Sequence, residues 1–160
     1  MPEKMLSPHF AESEFACECC GIAKVHPGFI STIEDFRCWF GMIICVSSGC
    51  RCKKHNRAIG GASASQHIFD DKVGTRAGDL WSKDHTCVML MYFLEHWNKL
   101  IQKNIGVPPF TGLGLYPENA FVHVDVRPQN HISRWVRENG VYRTVSSFKE
   151  YYLTKTLLTD

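Results

Sequence analysis

Apolar residues recur at steps of three and four along two long segments of the chain, which predicts two helices. The first spans residues 28–40, where Pro27 suits a first helical turn and Gly41 suits a C-terminal stop. The second follows Ser82, whose hydroxyl suits an N-cap, and its apolar face runs over residues 88–101. We expect the apolar faces of both helices to pack on a core.

Shorter apolar or alternating runs predict strands. In the last but one of these runs, Phe121, His123 and Asp125 share one face, because side chains alternate along a strand. The valines between and after them share the other face, which must belong to the core. A turn over residues 117–119 joins this strand to the one before it. The predicted strands are 42–46, 77–81, 111–116, 120–127 and 142–145.

The remaining segments predict short elements and one long loop. Ser7 could cap an N-terminal element over residues 7–14, with Phe10 and Phe15 docked on the core. A loop over residues 48–66 is rich in Gly, Ser, Ala and Asn, and loops of this length in a small domain are often functional. A capping box from Ser147 to Glu150 predicts a terminal helix.

The length and charge of the chain limit the number of domains and the classes of partner that we expect. At 160 residues the chain has the size of one domain, so we predict a single domain over residues 1–160. The 18 basic and 16 acidic side chains give a formal net charge of +2 with both signs mixed, and therefore no support for a nucleic-acid partner. No stretch approaches the ~20 apolar residues that a membrane span requires.

The eight cysteines raise the question of redox compartment. The first ten residues lack the apolar core of a secretory signal, so we expect synthesis in the cytoplasm with most thiols free. Cys17 and Cys20 form a CxxC pair, whereas Cys50 and Cys52 are too close to be its usual partner in a structural zinc site. Ordinary thiols are therefore favoured, and a second, cysteine-held zinc stays open. No local signature supports a cysteine-based hydrolase.

Three residues stand out as candidate metal ligands. His67 ends the long loop, Asp79 lies in an otherwise apolar strand, and His123 lies in the strand with the valine face. Catalytic zinc is typically held by three such histidine or carboxylate ligands, with water in the fourth position. Spacing alone leaves this site a hypothesis, because a lone histidine is more often an ordinary core or surface residue.

Five motifs that follow one another along the chain strengthen the hypothesis of a metal site. They are Ser48, Gly49 and Arg51; Asn56, Gly60 and Gly61; Ser65 and His67; Ala77 and Asp79; and Val122, His123 and Asp125. This pattern resembles the zinc D-Ala-D-Ala carboxypeptidase family of peptidoglycan metallopeptidases, which includes cell-wall endopeptidases and phage endolysins and shares its fold with the hedgehog signalling domain. The resemblance covers roughly residues 7–135. Together the motifs are specific, although each alone would be weak.

The resemblance implies an α+β fold of the hedgehog and D,D-peptidase type, with a small, mostly antiparallel sheet flanked by helices. It implies Zn²⁺ held by His67, Asp79 and His123, and a catalytic Arg51 that pairs with a substrate carboxylate or carbonyl through its bidentate fork. We further predict that four side chains contact substrate. They are Arg51, Ser65, Tyr116 and Trp135.

The sequence departs from the family pattern at two places. His67 and Asp79 are twelve positions apart where seven is usual, so Asp70 or Asp71 could replace Asp79, although Asp79 has the expected strand context. The family often carries an acidic residue three positions before the last histidine, and this chain has Ala120 there. Asp125 could then act as the catalytic base or merely orient a ligand.

Glu118, in the preceding turn, is the rival to Asp125 as base. The leading hypothesis is a zinc peptidase that cuts a D-amino-acid bond in peptidoglycan stem peptides. We expect it to act on the cell wall, for instance as a phage lysin, and to work as a monomer without nucleic acid or membrane. The alternative is a noncatalytic peptidoglycan-binding or structural module that keeps the metal for stability. We favour the enzyme and predict that chelation abolishes its turnover.

Overall fold

The computed structural model describes residues 2–149 and 151–152. Its helices are α1 (Pro27–Phe40), α2 (Lys53–Ala58) and α3 (Cys87–Ile105), with 3₁₀ turns at Glu12–Phe15 and Pro117–Asn119. Its strands are β1 (Met5–Ser7), β2 (Phe10–Ala11), β3 (Ile44–Ser48), β4 (Ala77–Ser82), β5 (Gly112–Tyr116), β6 (Phe121–Asp125), β7 (Ser133–Glu138) and β8 (Val141–Thr144). The predicted α+β class is confirmed.

Six strands form the main sheet in the order β3-β4-β6-β5-β7-β8, and β1 pairs with β2 in a separate two-stranded sheet. All neighbours in the main sheet are antiparallel except β5 and β7, which are parallel. The β5–β6 hairpin closes through the predicted turn at Pro117–Asn119, followed by Ala120 in the left-handed region at φ 56°. β4 and β6 are thus adjacent interior strands, each paired on both sides.

Alternation along the strands gives the main sheet two different faces. One face supplies apolar side chains to the same core cluster as α1 and α3, which explains why both helices are apolar on one side. The predicted valine face of β6 is confirmed, since Val122 and Val124 are fully buried in this core. The opposite face of β4 and β6 carries Asp79, His123 and Asp125. The sheet residues in the core include Leu80, Leu113, Leu115, Val122, Val124 and Val136.

The predicted α1 agrees with the structure within one residue, and Gly41 ends it at φ 74° as a left-handed C-cap. The start of α3 is a correction. Ser82 does not cap this helix, because it still pairs with Ile44 at the end of β4. The helix begins at Cys87, and the side chain of Thr86 caps it by accepting a hydrogen bond from the backbone N–H of Met89 at 3.3 Å. No described helix is both long and apolar enough to cross a bilayer.

Other elements differ from the sequence prediction. β7 was missed because only Val136 of its side chains is buried in the core, and the predicted loop 48–66 contains α2. Phe10 and Phe15 dock on the core as predicted, but Ser7 belongs to a strand, and its hydroxyl donates to Glu34 at 2.6 Å rather than capping a helix. Residue 150 of the predicted terminal capping box lies outside the described residues.

The cap of α3 gives a stability prediction. Thr86→Ala leaves the backbone N–H of Met89 without its acceptor at an exposed helix end. We therefore expect the free energy of unfolding to fall by about 1 kcal/mol in urea denaturation. Thr86→Ser is the matched control, because it keeps the hydroxyl and should retain most of the stability. Equal stability of Thr86→Ala and the unmodified chain would contradict the assignment of this cap.

Candidate metal centre

Three buried side chains meet on the face of the sheet opposite the core. Asp79 on β4 and His123 on β6 are direct partners in the antiparallel register, and His67 joins them from the segment before β4. Asp79 Oδ1 lies 3.1 Å from His67 Nε2 and 3.0 Å from His123 Nδ1, and the two ring nitrogens lie 3.1 Å apart. The structure therefore brings together the three residues that the sequence singled out.

Each histidine is oriented by a hydrogen bond from its outer ring nitrogen. His67 Nδ1 lies 2.7 Å from the carbonyl oxygen of Gly49, and His123 Nε2 lies 3.0 Å from Asp125 Oδ2. Since a carbonyl and a carboxylate can only accept, both outer nitrogens carry the proton. Both inner nitrogens face the carboxylate of Asp79, and each offers a lone pair there whenever its ring is neutral. Metal-binding histidines are commonly oriented in this way.

The electrostatics of this cluster favour a cation at its centre. Burial lowers the pKa of His67. Burial alone would also lower the pKa of His123, but its hydrogen bonds to Asp125 and Asp79 raise that pKa to about 9. Burial alone would raise the pKa of Asp79, but the two histidines hold it well below its ordinary value. An added proton on His123 or a metal ion can supply the positive charge.

The donor set fits a metal. One ligand atom from each of His67, Asp79 and His123 lies within 4.8 Å of the other two, and all three residues are buried. Two imidazoles and a carboxylate are the ligand types of catalytic zinc sites. These residues could therefore hold a metal ion, with the adjoining cavity giving access to it.

Arg51 lies beside Asp79 as well as at the cavity. Its Nη2 donates to Asp79 Oδ2 at 2.6 Å and its Nε donates to the hydroxyl of Ser48 at 3.0 Å. The guanidinium therefore neutralises the second oxygen of the candidate ligand, a contact that the sequence did not predict. Arg51 also lines the cavity, as expected for a residue that meets substrate.

Asp125 lies behind His123. It is fully buried, and both of its oxygens are engaged: Arg127 Nε donates to Oδ1 at 2.8 Å, while His123 and the Arg127 Nη2 donate to Oδ2. Burial alone would raise the pKa of Asp125, but these donors hold it well below its ordinary value. The sequence left open whether Asp125 is a base or an orienting group, and these contacts favour the orienting group.

The longer spacing between His67 and Asp79 is taken up by a closed surface loop. The hydroxyl of Thr75 donates to the carbonyls of Gln66 and His67, both at 2.9 Å, and so fixes both ends of the loop. Asp70 accepts the backbone N–H of Lys72 at 2.6 Å, and Asp71 pairs with the amine of Lys24 at 2.8 Å. Both alternatives to Asp79 are thus exposed and directed away from the histidines.

A cavity of about 740 Å³ adjoins the cluster, a volume typical of small-molecule sites. Ser65, Tyr116 and Trp135, the other predicted substrate contacts, line it together with Arg51. The indole Nε1 of Trp135 donates to the Tyr116 hydroxyl at 3.1 Å. The glycine at 114 makes room for this indole, because a Cβ there would lie 2.5 Å from its ring atoms.

Sequence reasoning missed two arginines of the cavity wall. Arg127 lies two residues after the end of β6 and continues the face that carries His123 and Asp125. Its Cζ lies 5.5 Å from the centre of the Trp135 ring. Arg137 follows Trp135 by two positions on β7, so it lies on the same face. The alternation that identified the histidine could have indicated Arg127, whereas Arg137 required knowledge of β7.

The proton acceptor expected for a hydrolase is not evident. Glu118 is exposed, its carboxylate accepts the backbone N–H of Asn139 at 2.9 Å, and it does not line the cavity. Within the described part of the chain, Asp79 is the one carboxylate in the cavity wall, and its oxygens already face Arg51 and the two histidines. A hydrolytic role therefore has to account for the proton of the attacking water.

Comparison with known families gives one match. The model of the family described as Peptidase M15 matches residues 8–125, which include Arg51, His67, Asp79 and His123. This match confirms the resemblance found in the five ordered motifs. None of the curated proteins compared with the chain matches it.

Ligand identity can be tested by removing one carboxylate charge at a time. In Asp79→Asn, the amide replaces the anionic donor between the two histidines, so we expect bound zinc to be lost from the candidate centre. Asp71→Asn is the matched control, because Asp71 pairs with Lys24 on the surface and should leave the zinc content unchanged. Elemental analysis of both purified variants measures the effect. Loss of zinc in Asp71→Asn with retention in Asp79→Asn would reverse the assignment.

The orienting role of Asp125 has a separate test. Asp125→Asn weakens the acceptor that fixes the ring of His123 and disrupts the pair with Arg127. We expect zinc affinity at this centre to fall by about 10- to 100-fold, measured by competition with a chromophoric chelator. Asp35→Asn, on the exposed side of α1, is the control and should bind zinc normally. Unchanged affinity together with abolished turnover would instead indicate that Asp125 is the base.

Proposed function

The chain belongs to the Peptidase M15 family, and from this premise we propose that it is a zinc-dependent peptidase acting on peptidoglycan. The bond that it hydrolyses joins a D-amino acid in the stem peptides or their cross-links. The observation that carries this proposal is the buried His67–Asp79–His123 cluster at the wall of a cavity of suitable size. Whether the enzyme is a carboxypeptidase or an endopeptidase is a separate question of how substrate ends fit that cavity.

The metal and its ligands follow from the donor set. His67, Asp79 and His123 would hold Zn²⁺, for which nitrogen and carboxylate ligands are suitable. When bound, zinc supplies Lewis-acid polarisation of the scissile carbonyl and lowers the pKa of a coordinated water toward neutrality. Gly49 and Asp125 keep the two imidazoles in the orientation that ligation needs. Arg51 fixes the carboxylate of Asp79 from the side.

The charge of the cavity wall supports an anionic peptide as the ligand. Arg51, Arg127 and Arg137 all line the cavity, and guanidinium groups bind carboxylates bidentately. Arg137 lies over the Tyr142 ring and forms no ion pair with another described residue, so its donors are available. Stem peptides of peptidoglycan carry free carboxylates. We propose that Arg137 and Arg51 bind such a group.

Aromatic and hydroxyl groups complete the proposed substrate site. Trp135 presents its indole beside His123, with the two ring centres 5.2 Å apart. Tyr116 holds that indole in place, and burial raises the pKa of its hydroxyl, which therefore stays protonated at neutral pH. Ser65 lies at the rim next to His67. These groups would position the peptide backbone against the metal centre.

A noncatalytic peptidoglycan-binding or structural module is the second candidate. General base catalysis needs an acceptor for the proton of the attacking water. Among the side chains placed by the structure, the cavity wall has no carboxylate beyond Asp79, and Asp125 is committed to His123 and Arg127. This observation favours a site that binds peptidoglycan and retains its metal for stability.

The proposed substrate, peptidoglycan, indicates where the protein would act. We propose that the protein acts on the bacterial cell wall, as a phage lysin or as a bacterial enzyme, and that it does so as a monomer. The proposed ligand is a peptidoglycan stem peptide, and the mechanism requires neither nucleic acid nor a membrane. The family match and the three arginines in the cavity wall support this setting.

One experiment distinguishes the zinc peptidase from the noncatalytic module. Zinc-loaded protein is incubated with purified peptidoglycan and with soluble stem peptides containing a D-alanyl bond, and products are identified by mass spectrometry. We expect cleavage that chelator abolishes, that zinc restores and that His67→Ala lacks. His96→Ala, on the exposed side of α3, is the control and should retain turnover. Bound zinc and peptidoglycan binding without any product would establish the noncatalytic module.

A further inference from the structure

A second group of metal-binding side chains lies in the N-terminal region, outside the centre described above. The sulfur atoms of Cys17, Cys20 and Cys52 all lie within 4.8 Å of one another. Residues 17 and 20 follow the 3₁₀ turn near the N-terminus, whereas residue 52 precedes α2. None of the eight cysteines, which all fall within the described residues, forms a disulfide.

The backbone around this group is shaped to bring the sulfurs together. The carbonyl of Cys17 accepts the N–H of Cys20 at 3.3 Å and that of Gly21 at 2.7 Å, which closes a tight turn. Gly21 completes the turn at φ 70°, in the left-handed region where glycine is favoured. A CxxC pair on such a turn directs both side chains to the same side. This is the ligand arrangement of structural zinc sites.

Backbone amides also donate to two of the sulfurs. The N–H of Cys52 donates to the sulfur of Cys17 at 3.3 Å, and the N–H of His55 donates to the sulfur of Cys52 at 3.3 Å. Hydrogen bonds of this kind stabilise negative charge on sulfur and orient it. Cys17 and Cys52 are therefore prepared to serve as thiolate ligands, although they are 35 positions apart.

A fourth thiol belongs to the same turn. Cys19 is exposed and lies between Cys17 and Cys20 in the sequence. Cys50, by contrast, is excluded, because its thiol donates to the carbonyl of Lys24 at 3.1 Å and accepts from the N–H of the same residue at 3.2 Å. The ligand pattern is therefore three cysteines from one turn and a single cysteine from the start of α2. Considering Cys50 and Cys52 together concealed this pattern, because of the two only Cys52 belongs to the cluster.

We propose that this cluster binds a second Zn²⁺, through Cys17, Cys20 and Cys52 with Cys19 as the fourth ligand. Four thiolates give the closed tetrahedral coordination of a structural site, which leaves no position for substrate. Each thiol releases its proton to solvent as it binds the ion. The site is chemically distinct from the His–Asp–His centre, because thiolates are softer donors than imidazole and carboxylate.

The place of the cluster in the fold gives the ion a structural role. It would tie the N-terminal turn to the segment that carries Arg51, immediately before Cys52. That segment already depends on long-range contacts, since the N–H of Cys50 donates to the carbonyl of Phe15 and the N–H of Arg51 donates to the carbonyl of His67, both at 2.8 Å. The second ion would therefore fix the backbone from which Arg51 reaches Asp79.

The first test measures the metal content of the full chain, purified under reducing conditions and loaded with zinc. We expect about two ions per chain in the unmodified protein. The double variant Cys20→Ser/Cys52→Ser should lose about one of them, and Asp79→Asn should lose the other. Cys45→Ser is the matched control and should lose none, because Cys45 lies on β3 outside the cluster. Unchanged content in the cysteine double variant would overturn the proposal.

Cobalt substitution tests the ligands without relying on a cysteine variant that folds. Co²⁺ bound to thiolates shows an intense sulfur-to-metal charge-transfer absorption in the near ultraviolet, which imidazole and carboxylate ligands do not produce. We expect this band in the unmodified protein and in Asp79→Asn, and its loss in the exposed single variant Cys20→Ser. Absence of the band from the unmodified, reduced protein would overturn the proposal.

Because Asp79→Asn removes only the histidine-containing centre, the two proposals fail independently. Persistence of the cobalt band in that variant with no peptide cleavage supports the cysteine site, whatever the fate of the proposed peptidase activity. A zinc content reduced by about one in Cys20→Ser, together with cleavage by the unmodified protein, supports both.

Discussion

A buried carboxylate that faces two imidazole nitrogens is the constraint on which the rest of this structure depends. Burying an ionised carboxylate without compensation costs on the order of several kcal/mol, so positive charge has to be supplied nearby. Arg51 supplies it at one oxygen of Asp79, and the other oxygen faces His67 and His123. The orientation of both imidazoles is fixed from behind. The cluster is therefore built to attract a small cation at its centre.

The sheet provides the rigidity that such a cluster requires. β4 and β6 are interior strands, and the direct pairing of Asp79 with His123 places two of the three groups by backbone register alone. Their alternate residues form the apolar core beneath α1 and α3. A slip of one residue would send the charged groups into that core, so the hydrophobic pattern fixes the site geometry as well as the fold. The glycines at 112 and 114 then leave space for Asp125 and Trp135.

Local patterns predicted the parts of the molecule that depend on local rules. The face of β6 followed from alternation, and α1 followed from its periodicity and Gly41. Ser82 misled the prediction of α3, because its pairing with Ile44 is a long-range contact that no local pattern reveals. Local patterns could not explain the longer spacing between His67 and Asp79 either, because the hydroxyl of Thr75 closes the loop between them. The cysteine cluster likewise required a contact between distant segments.

Arg51 links the His67–Asp79–His123 cluster to the thiol cluster. Its guanidinium compensates the charge of Asp79, while the next residue, Cys52, contributes to the thiol cluster. Its backbone also pairs with His67. A change in the cysteine cluster would therefore move both a neighbour of the carboxylate and the segment preceding β4. A backbone shift at Arg51 would lengthen its 2.6 Å ion pair with Asp79. An ion held by the thiol cluster would therefore act on the cavity wall through the backbone of Arg51, although Cys17, Cys20 and Cys52 do not line the cavity.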